Sequence, residues 1–358
     1  MENMAMINLK ETYSGKKIFL TGHTGFKGSW FLSWLSELGC VVKGYSLPPP
    51  KEDSLYNLIN GEAKCESIYG DIRNYENLKK EILVFQPDFI FHFAAQALVI
   101  DSYKNPLDTY MTNVMGTANL LNVVRFLEKD CSIILITTDK VYENKEWIYP
   151  YRETDRLGGY DPYSSSKAAS EIVISSFRSS FFNLNEVKKN KKGIAIARAG
   201  NVIGGGDWSE NRLIPDIVNS IISDKPVEIR NPMSIRPWQH VLEPLYGYLL
   251  LGQHLSQNPE KYSDSFNFGP ELQDSLEVIE VFKIASKIWG KGKMIKKDFT
   301  DALHEAKTLK LDISKSKKEL GWEPKWTAHQ AIYETVEWYK KFIEGKDITI
   351  PQLKKFIE

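Results

Sequence analysis

The stretch KKIFLTGHTGFKGSWFLSWLSELG, Lys16 to Gly39, decides how the rest of the chain is read. A short apolar run, Ile18 to Thr21, has the length and composition of a buried strand. Gly22, Gly25 and Gly28 follow at once, and from Lys27 to Leu38 the apolar residues Trp30, Phe31, Trp34, Leu35 and Leu38 recur at helical spacing. Gly39 then ends the helix. Glycines between a strand and a helix let the chain turn sharply and bring backbone N–H groups near a pyrophosphate, which rests on the positive end of the helix. A glycine triplet alone is a weak signal, since a turn without a ligand uses the same residues. Flanked by strand and helix, it reads as a dinucleotide loop.

Outward from this loop the alternation continues. CVVKGYSL (Cys40 to Leu47) reads as a second strand, closed by Pro48, Pro49 and Pro50, and CESIYGD (Cys65 to Asp71) as a third. DFIFHFAA (Asp88 to Ala95), CSIILITT (Cys131 to Thr138) and GIAIARAG (Gly193 to Gly200) supply the fourth, fifth and sixth. Between them lie helical patterns: one with Leu78, Ile82 and Phe85 on a face, one after Pro106 with Val114, Ala118, Leu121 and Val124, and one from about Tyr163 to Phe182. Strands alternating with such helices predict the α/β class, a doubly wound parallel (Rossmann) sheet covered on both faces. After Gly200 the rhythm breaks at Gly204, Gly205 and Gly206, and a helix beginning near Thr327 closes the chain. The expected division is a dinucleotide-binding domain over 1–200 and a smaller mixed α/β substrate lobe over 201–358, partly interleaved with the first.

Composition narrows the function. Lys plus Arg equals Asp plus Glu at 46 each, which gives no electrostatic case for nucleic acid or membrane surfaces. The basic runs Lys188 to Lys192 and Gly290 to Lys297 read as solvated surface. Cys40, Cys65 and Cys131 form no CxxC pair, and histidines such as His23, His92, His240 and His304 do not cluster, so no metal site is expected. No apolar run reaches the ~20 residues of a membrane span, and the amino terminus lacks a signal peptide's core. A cytoplasmic location is expected.

The chemistry concentrates in two places. LITTDKVYEN, Leu135 to Asn144, ends an apolar strand in Thr137, Thr138, Asp139 and Lys140. An acid and a base are costly to place at a buried strand end without a task. In YSSSK, Tyr163 and Lys167 are one turn apart on a helix face, where an ammonium lowers the phenol's pKa and makes it a usable base. Thr138 either shares the proton of a substrate hydroxyl with Tyr163 or merely caps the strand end.

These motifs resemble the extended short-chain dehydrogenase/reductase family acting on nucleotide sugars. The resemblance rests on GHTGFKGSW, NVMGT at Asn113, YENKEW, GGYDPYSSSK, RAGNVIGGGDW, RLIPDI, IRPWQHVLEP and NFGP, and covers nearly the whole chain. Within that family it points to the 4,6-dehydratases, because Asp139 follows Thr138 where simple epimerases lack an acid. Lys140, where most dehydratases carry glutamate, matches the CDP-glucose branch. The resemblance implies one NAD per subunit, a homodimer joined through the helices after the fourth and fifth strands, and a product that feeds deoxysugar and lipopolysaccharide assembly. It also implies a reaction. Tyr163 takes the proton of the sugar's 4-hydroxyl while carbon 4 gives a hydride to NAD⁺, water is lost across carbons 5 and 6, and the hydride returns to carbon 6. Asp139 would protonate the leaving hydroxyl, if burial keeps it protonated. Lys140 is open to three readings: base for carbon 5, cation beside an enolate, or simple partner of Asp139.

The same resemblance assigns the remaining residues. Gly22, Thr24, Gly25, Phe26, Lys27, Gly28, Asp71, Ile72, Ala94, Ala95 and Asn113 would meet the cofactor together with Tyr163 and Lys167. Gln96, Ser102, Asn201, Arg212, Leu213, Arg236, His240 and Asn267 would line the substrate slot, Arg236 on the diphosphate. The acid expected on the ribose after the second strand is missing, with Ser46 near its place. Lys27 either meets an additional phosphate or is solvated. In ALVIDSY, Ile100 and Asp101 depart from the CDP-glucose pattern. Two other readings stay on the page: a dehydratase or epimerase for a dTDP-, GDP- or UDP-hexose, and a nucleotide-binding regulatory protein.

Overall fold

The computed structural model describes residues 4–183, 192–229, 231–296 and 309–358. The basic run Lys188 to Lys191, Lys297 and His304 lie outside them. Six strands fall where the sequence places them: β1 (Lys17–Thr21), β2 (Val41–Ser46), β3 (Glu66–Tyr69), β4 (Phe89–His92), β5 (Cys131–Ile136) and β6 (Lys192–Ala199). A seventh strand, Ser265–Phe268, pairs with β6 and completes a seven-stranded parallel sheet. The strand order is Ser265–Phe268, β6, β5, β4, β1, β2, β3. The chain therefore crosses the expected boundary at 200/201 and returns to the sheet.

Alternation along each strand explains why the runs are apolar throughout. Ile18 and Leu20 of β1 enter one core cluster, while Phe19 between them enters the other. β5 repeats the split, with Ile134 and Ile136 on one side and Ile133 and Leu135 on the opposite side. On β6 the same alternation places Ala195, Ala197 and Ala199 on the face covered by the helix Leu242–Gln257. Helices on both faces leave no side of the central strands for water.

β1 lies between β4 and β2, so the order reverses beside it and the crevice opens at the carboxyl ends of β1 and β4. His92 bridges this gap, with Nδ1 2.8 Å from Thr21 Oγ1 and Nε2 3.2 Å from Thr117 Oγ1. Burial, and then the charge of Lys167, pushes His92 down to about 3, so the imidazole is neutral and serves as a hydrogen-bonding brace. The run after Pro106 is helical as expected but contains a wider π turn, Met111–Met115, from which Asn113 reaches Gln96. Among the described residues, no helix is long and apolar enough to cross a membrane.

The carboxy-terminal segment is anchored to the sheet by aromatic packing. Trp322 is fully buried, donates from Nε1 to Glu243 O at 3.0 Å, and meets Phe268 edge-on at 5.1 Å. Phe268 itself belongs to the seventh strand. Trp322→Ala is expected to cost about 3–5 kcal/mol while unfolding stays a single transition. Denaturant titration followed by fluorescence and circular dichroism checks this; two separated transitions would show that the carboxy-terminal segment unfolds independently of the sheet.

Candidate active site

The acid turn begins where β5 runs out of partners. Thr138 caps a short 3₁₀ turn, Asp139–Val141, with its hydroxyl accepting from Lys140 N at 3.4 Å and donating to Asp139 Oδ1 at 2.9 Å. Asp139 is 2% exposed. Lys140 Nζ reaches Asp139 Oδ1 at 3.3 Å and Asn201 Oδ1 at 3.1 Å, from a side chain 30% exposed. The carboxylate is thus buried but held by a hydroxyl and an ammonium, which offset its loss of water.

Tyr163 and Lys167 stand on the helix Pro162–Phe181, whose start is fixed locally. Asp161 is the N-cap, accepting from Ser164 N at 2.9 Å, and Pro162 occupies the first helical position. Both functional side chains face inward and are buried. Burial pushes the Tyr163 phenol up to about 12; its hydrogen bond with Thr138 and the charge of Arg212 pull it down, while Asp139 pushes it further up. The phenol thus stands above its ordinary value, contrary to the lowering expected from Lys167, because desolvation outweighs the nearby cations. Lys167 is itself pushed down to about 8 by burial, with Glu171 opposing, and its Nζ donates to Ile136 O at 3.3 Å.

At the other side of the cleft the glycine loop fits closely against the sheet. A Cβ on Gly28 would lie 2.0 Å from Gly22 O, and one on Gly22, which has φ +75°, would lie 2.8 Å from Ala94 N. The helix Phe26–Glu37 starts at Gly25 with no side-chain cap, so its first N–H groups have no side-chain acceptor beside the cleft. Lys27 is half-buried, not solvated. Burial first, and then Arg212, pushes its ammonium down to about 7, against the pull of Asp139. Where an acid was missing after β2, Ser46 Oγ lies 2.9 Å from Thr24 Oγ1.

A cleft of about 1610 Å³ runs between these features, well beyond the ~300–1,000 Å³ that holds one drug-sized ligand. Thr138, Asp139, Lys140, Tyr163 and Lys167 all line it, as do Gly22, Thr24, Gly25, Phe26, Lys27, Gly28, Asp71, Ile72, Ala94 and Ala95. Gln96, Asn201, Arg212, Leu213 and Arg236 line it too, and so do Ile100 and Asp101. Four expected residues lie behind its walls. Asn113 is buried on Gln96 and Ser166; Ser102 donates to Val99 O; Asn267 is buried among Tyr142, Tyr151 and Asp312. His240 is fully buried between Trp30 and Trp326, at ring distances of 5.8 Å and 5.0 Å. Burial pushes it down to about 3, and it faces the aromatic core, away from the cleft.

Sequence reasoning missed two cleft residues. Arg73 grips both oxygens of Asp71, with Nε at 3.0 and 2.9 Å, and reaches Asp108 with its other arm. Asp207 holds Arg212 Nη1 at 2.8 Å. Both were in plain view as an acid and a base close in sequence: Asp71 and Arg73 in DIR, and Asp207 and Arg212 in GDWSENR. Among the described residues no group of three or more metal-ligating side chains occurs.

The sequence and the fold have counterparts. A CDP-glucose 4,6-dehydratase from Salmonella typhimurium is 47% identical over 341 residues, covering 95% of each chain. Two solved structures share the fold at 23% identity. A UDP-glucose 4-epimerase from Thermotoga maritima has a TM-score of 0.78 over 91% of this chain and 99% of its own. A dTDP-glucose 4,6-dehydratase from Bacillus anthracis, solved in complex with NAD, has a TM-score of 0.76 over 92% of this chain and 98% of its own. The family described as GDP-mannose 4,6 dehydratase matches residues 19–335, a span that runs from β1 past the glycine loop, the acid turn and the Tyr163–Lys167 helix into the closing helix, and the chain belongs to that family.

Proposed function

We propose that this protein dehydrates CDP-glucose to CDP-4-dehydro-6-deoxyglucose with NAD as a recycled cofactor. The observation that carries the reading is the Asp139 carboxylate, 2% exposed at the end of β5 and bound to the Thr138 hydroxyl that also bonds Tyr163. Oxidation at carbon 4 needs only the tyrosine and its lysine; an additional acid beside them serves elimination. The 47% identity to a CDP-glucose 4,6-dehydratase supports the choice of sugar nucleotide.

The residues fit NAD. The cradle where Gly22 and Gly28 admit no side chain, the uncapped helix start at Gly25 and the hydroxyls of Thr24 and Ser46 would hold its pyrophosphate and ribose. Asp71, fixed by Arg73, would meet its adenine end. Bound there, NAD supplies the oxidation of sugar carbon 4 and the later reduction of carbon 6. Tyr163 takes the proton from the 4-hydroxyl as it passes its own to Thr138, whose hydroxyl donates in turn to Asp139, with Lys167 charged beneath. Asp139, protonated by that relay, then gives a proton to the departing 6-hydroxyl. Lys140, poised between Asp139 and Asn201, would take the carbon 5 proton as its neutral amine, and the ammonium so formed would steady the negative charge left on the sugar. Arg212 and Arg236 would hold the diphosphate. The segment after residue 200 contributes these arginines, and those parts of it that do not return to the sheet form the substrate lobe, interleaved with the dinucleotide-binding domain. A regulatory, non-catalytic role leaves the buried acid and the Tyr163–Lys167 pair without purpose.

The active unit is a homodimer. Leu107, Met111 and Met115 on the run after β4 and Ile172 on the helix after β5 are exposed apolar residues, a concentration that favours burial against a second copy. Cys40, Cys65 and Cys131 are free thiols, in keeping with a reducing cytoplasm.

Three outcomes test this. Offered CDP-, dTDP-, GDP- and UDP-hexoses, the protein should form a 4-keto-6-deoxy sugar from CDP-glucose with no net NADH, and Asp139→Asn should lower turnover about 10²–10⁴-fold. Product from another nucleotide alone would overturn the substrate choice, and an unimpaired Asp139→Asn the mechanism. Because Lys167 stands near 8, its charge is present below that pH and lost above it. Turnover should therefore fall as pH rises through about 8, and the residual activity of Lys167→Met should lack that limb. Ile172→Asp should convert the dimer to monomer in sedimentation; a wild type that sediments as a monomer would refute the assembly.

A further inference from the structure

Two buried charges below the cleft take no part in the steps above. Arg198 on β6 and Glu171 on the helix Pro162–Phe181 pair through two parallel contacts, Nε to Oε1 at 2.9 Å and Nη2 to Oε2 at 2.5 Å, with side chains 4% and 1% exposed. A pair this deep costs so much desolvation that apolar residues of similar volume would serve stability as well or better. What the charges reach is more informative. Glu171 Oε1 accepts from the Thr137 hydroxyl at 2.6 Å, and Arg198 Nη1 donates to the Tyr142 hydroxyl at 2.7 Å. Tyr142 in turn donates to Asn267 Oδ1 at 2.7 Å.

Thr137 and Tyr142 are the residues immediately outside the Thr138–Val141 turn. Each end of the turn is thus tied to one end of the ion pair. Glu171 also lies two helical turns beyond Tyr163, one beyond Lys167, on the same inward face. We infer that the Arg198–Glu171 pair is a positioning device that fixes the Asp139 turn relative to Tyr163 and Lys167. This rests on the dehydratase reading, in which Tyr163 acts in the oxidation and Asp139 in the elimination. Two groups serving successive steps on one bound sugar must keep their separation, and a misplacement of about 1 Å costs on the order of 10²-fold in rate. Neither Glu171 nor Arg198 touches substrate in this account. Glu171 also pulls the Lys167 ammonium upward, so the same carboxylate supports both halves of the site.

The test cuts the ties without removing the charges. Thr137→Val deletes the hydroxyl that binds Glu171, and Tyr142→Phe deletes the one that binds Arg198; Thr137→Ser keeps its hydroxyl. Melting temperature and NAD affinity show whether each variant is folded. With CDP-glucose, Thr137→Val and Tyr142→Phe should each lose about tenfold or more in kcat, with KM within about threefold of wild type. Oxidation at carbon 4 should continue, so 4-keto sugar still bearing its 6-hydroxyl should accumulate and be trapped by borodeuteride reduction. Thr137→Ser should recover turnover to within about threefold. Turnover within about twofold of wild type for both variants would overturn the inference, as would a loss with no trapped intermediate or a Thr137→Ser that stays as slow as Thr137→Val. Wild type run alongside separates the two readings. Ketosugar from wild type with unimpaired variants overturns the positioning role alone, whereas no ketosugar from any sample overturns the dehydratase reading with it.

Discussion

A carboxylate excluded from water at the end of a buried strand is the constraint around which this molecule is arranged. Asp139 can stay there only while hydrogen bonds replace its hydration. Thr138 and Lys140 supply them directly, and Asn201 holds Lys140 from the other side. Since Lys140 and Asn201 come from different strand ends, the acid is stable only when β5 and β6 are in register. Their pairing from Cys131↔Lys192 to Ile136↔Ala197 sets that register. Fold and site are therefore the same problem: the ladder that buries the core also delivers the acid to its partners.

Much of this was legible in the sequence because it is local. The glycine loop, the strand that precedes it and the helix that follows are contiguous, and the six strand runs announced themselves by length and apolarity. Asp161-Pro162 before Tyr163 is a helix start written in two adjacent residues. The site residues that stayed hidden are those fixed by distant contacts. His240 stands in a motif-like stretch beside Arg236, yet it turns to Trp30 and Trp326, far removed in sequence. Asn267 sat in a short segment with no evident strand pattern, and only its pairing with Arg198 on β6 reveals a seventh strand. The Arg198–Glu171 pair spans 27 positions and the Arg198–Tyr142 bond 56, separations no local pattern encodes.

Reading Tyr163 from its spacing to Lys167 illustrates a related limit. The four-residue interval places both groups on one helix face, which the structure bears out, but their charges depend on how much water each has lost. Burial raises the phenol and lowers the ammonium, and both effects oppose the simple picture of a cation activating a base. Thr138 and Arg212 pull the phenol back, and neither is near Tyr163 in sequence. Placement followed from periodicity; proton affinity followed from the assembled cleft.

The cleft's charges also connect binding to protonation. Lys27, Lys167 and Arg212 share its walls with Asp139, and mutual repulsion adds to burial in holding Lys27 near 7. A ligand that brings phosphate charge to these walls favours the protonated forms of the amines, because an anion nearby opposes both desolvation and repulsion. Linkage then requires that such a ligand bind more tightly when it finds the amines already charged, and that it take up protons when it does not. The glycine loop supplies fixed donors whose charge does not vary with pH, whereas Lys27 in the same loop supplies one that does. A loop built from backbone N–H groups alone would hold a pyrophosphate equally well across neutral pH; placing Lys27 among other cations makes the grip depend on how many of them carry their proton.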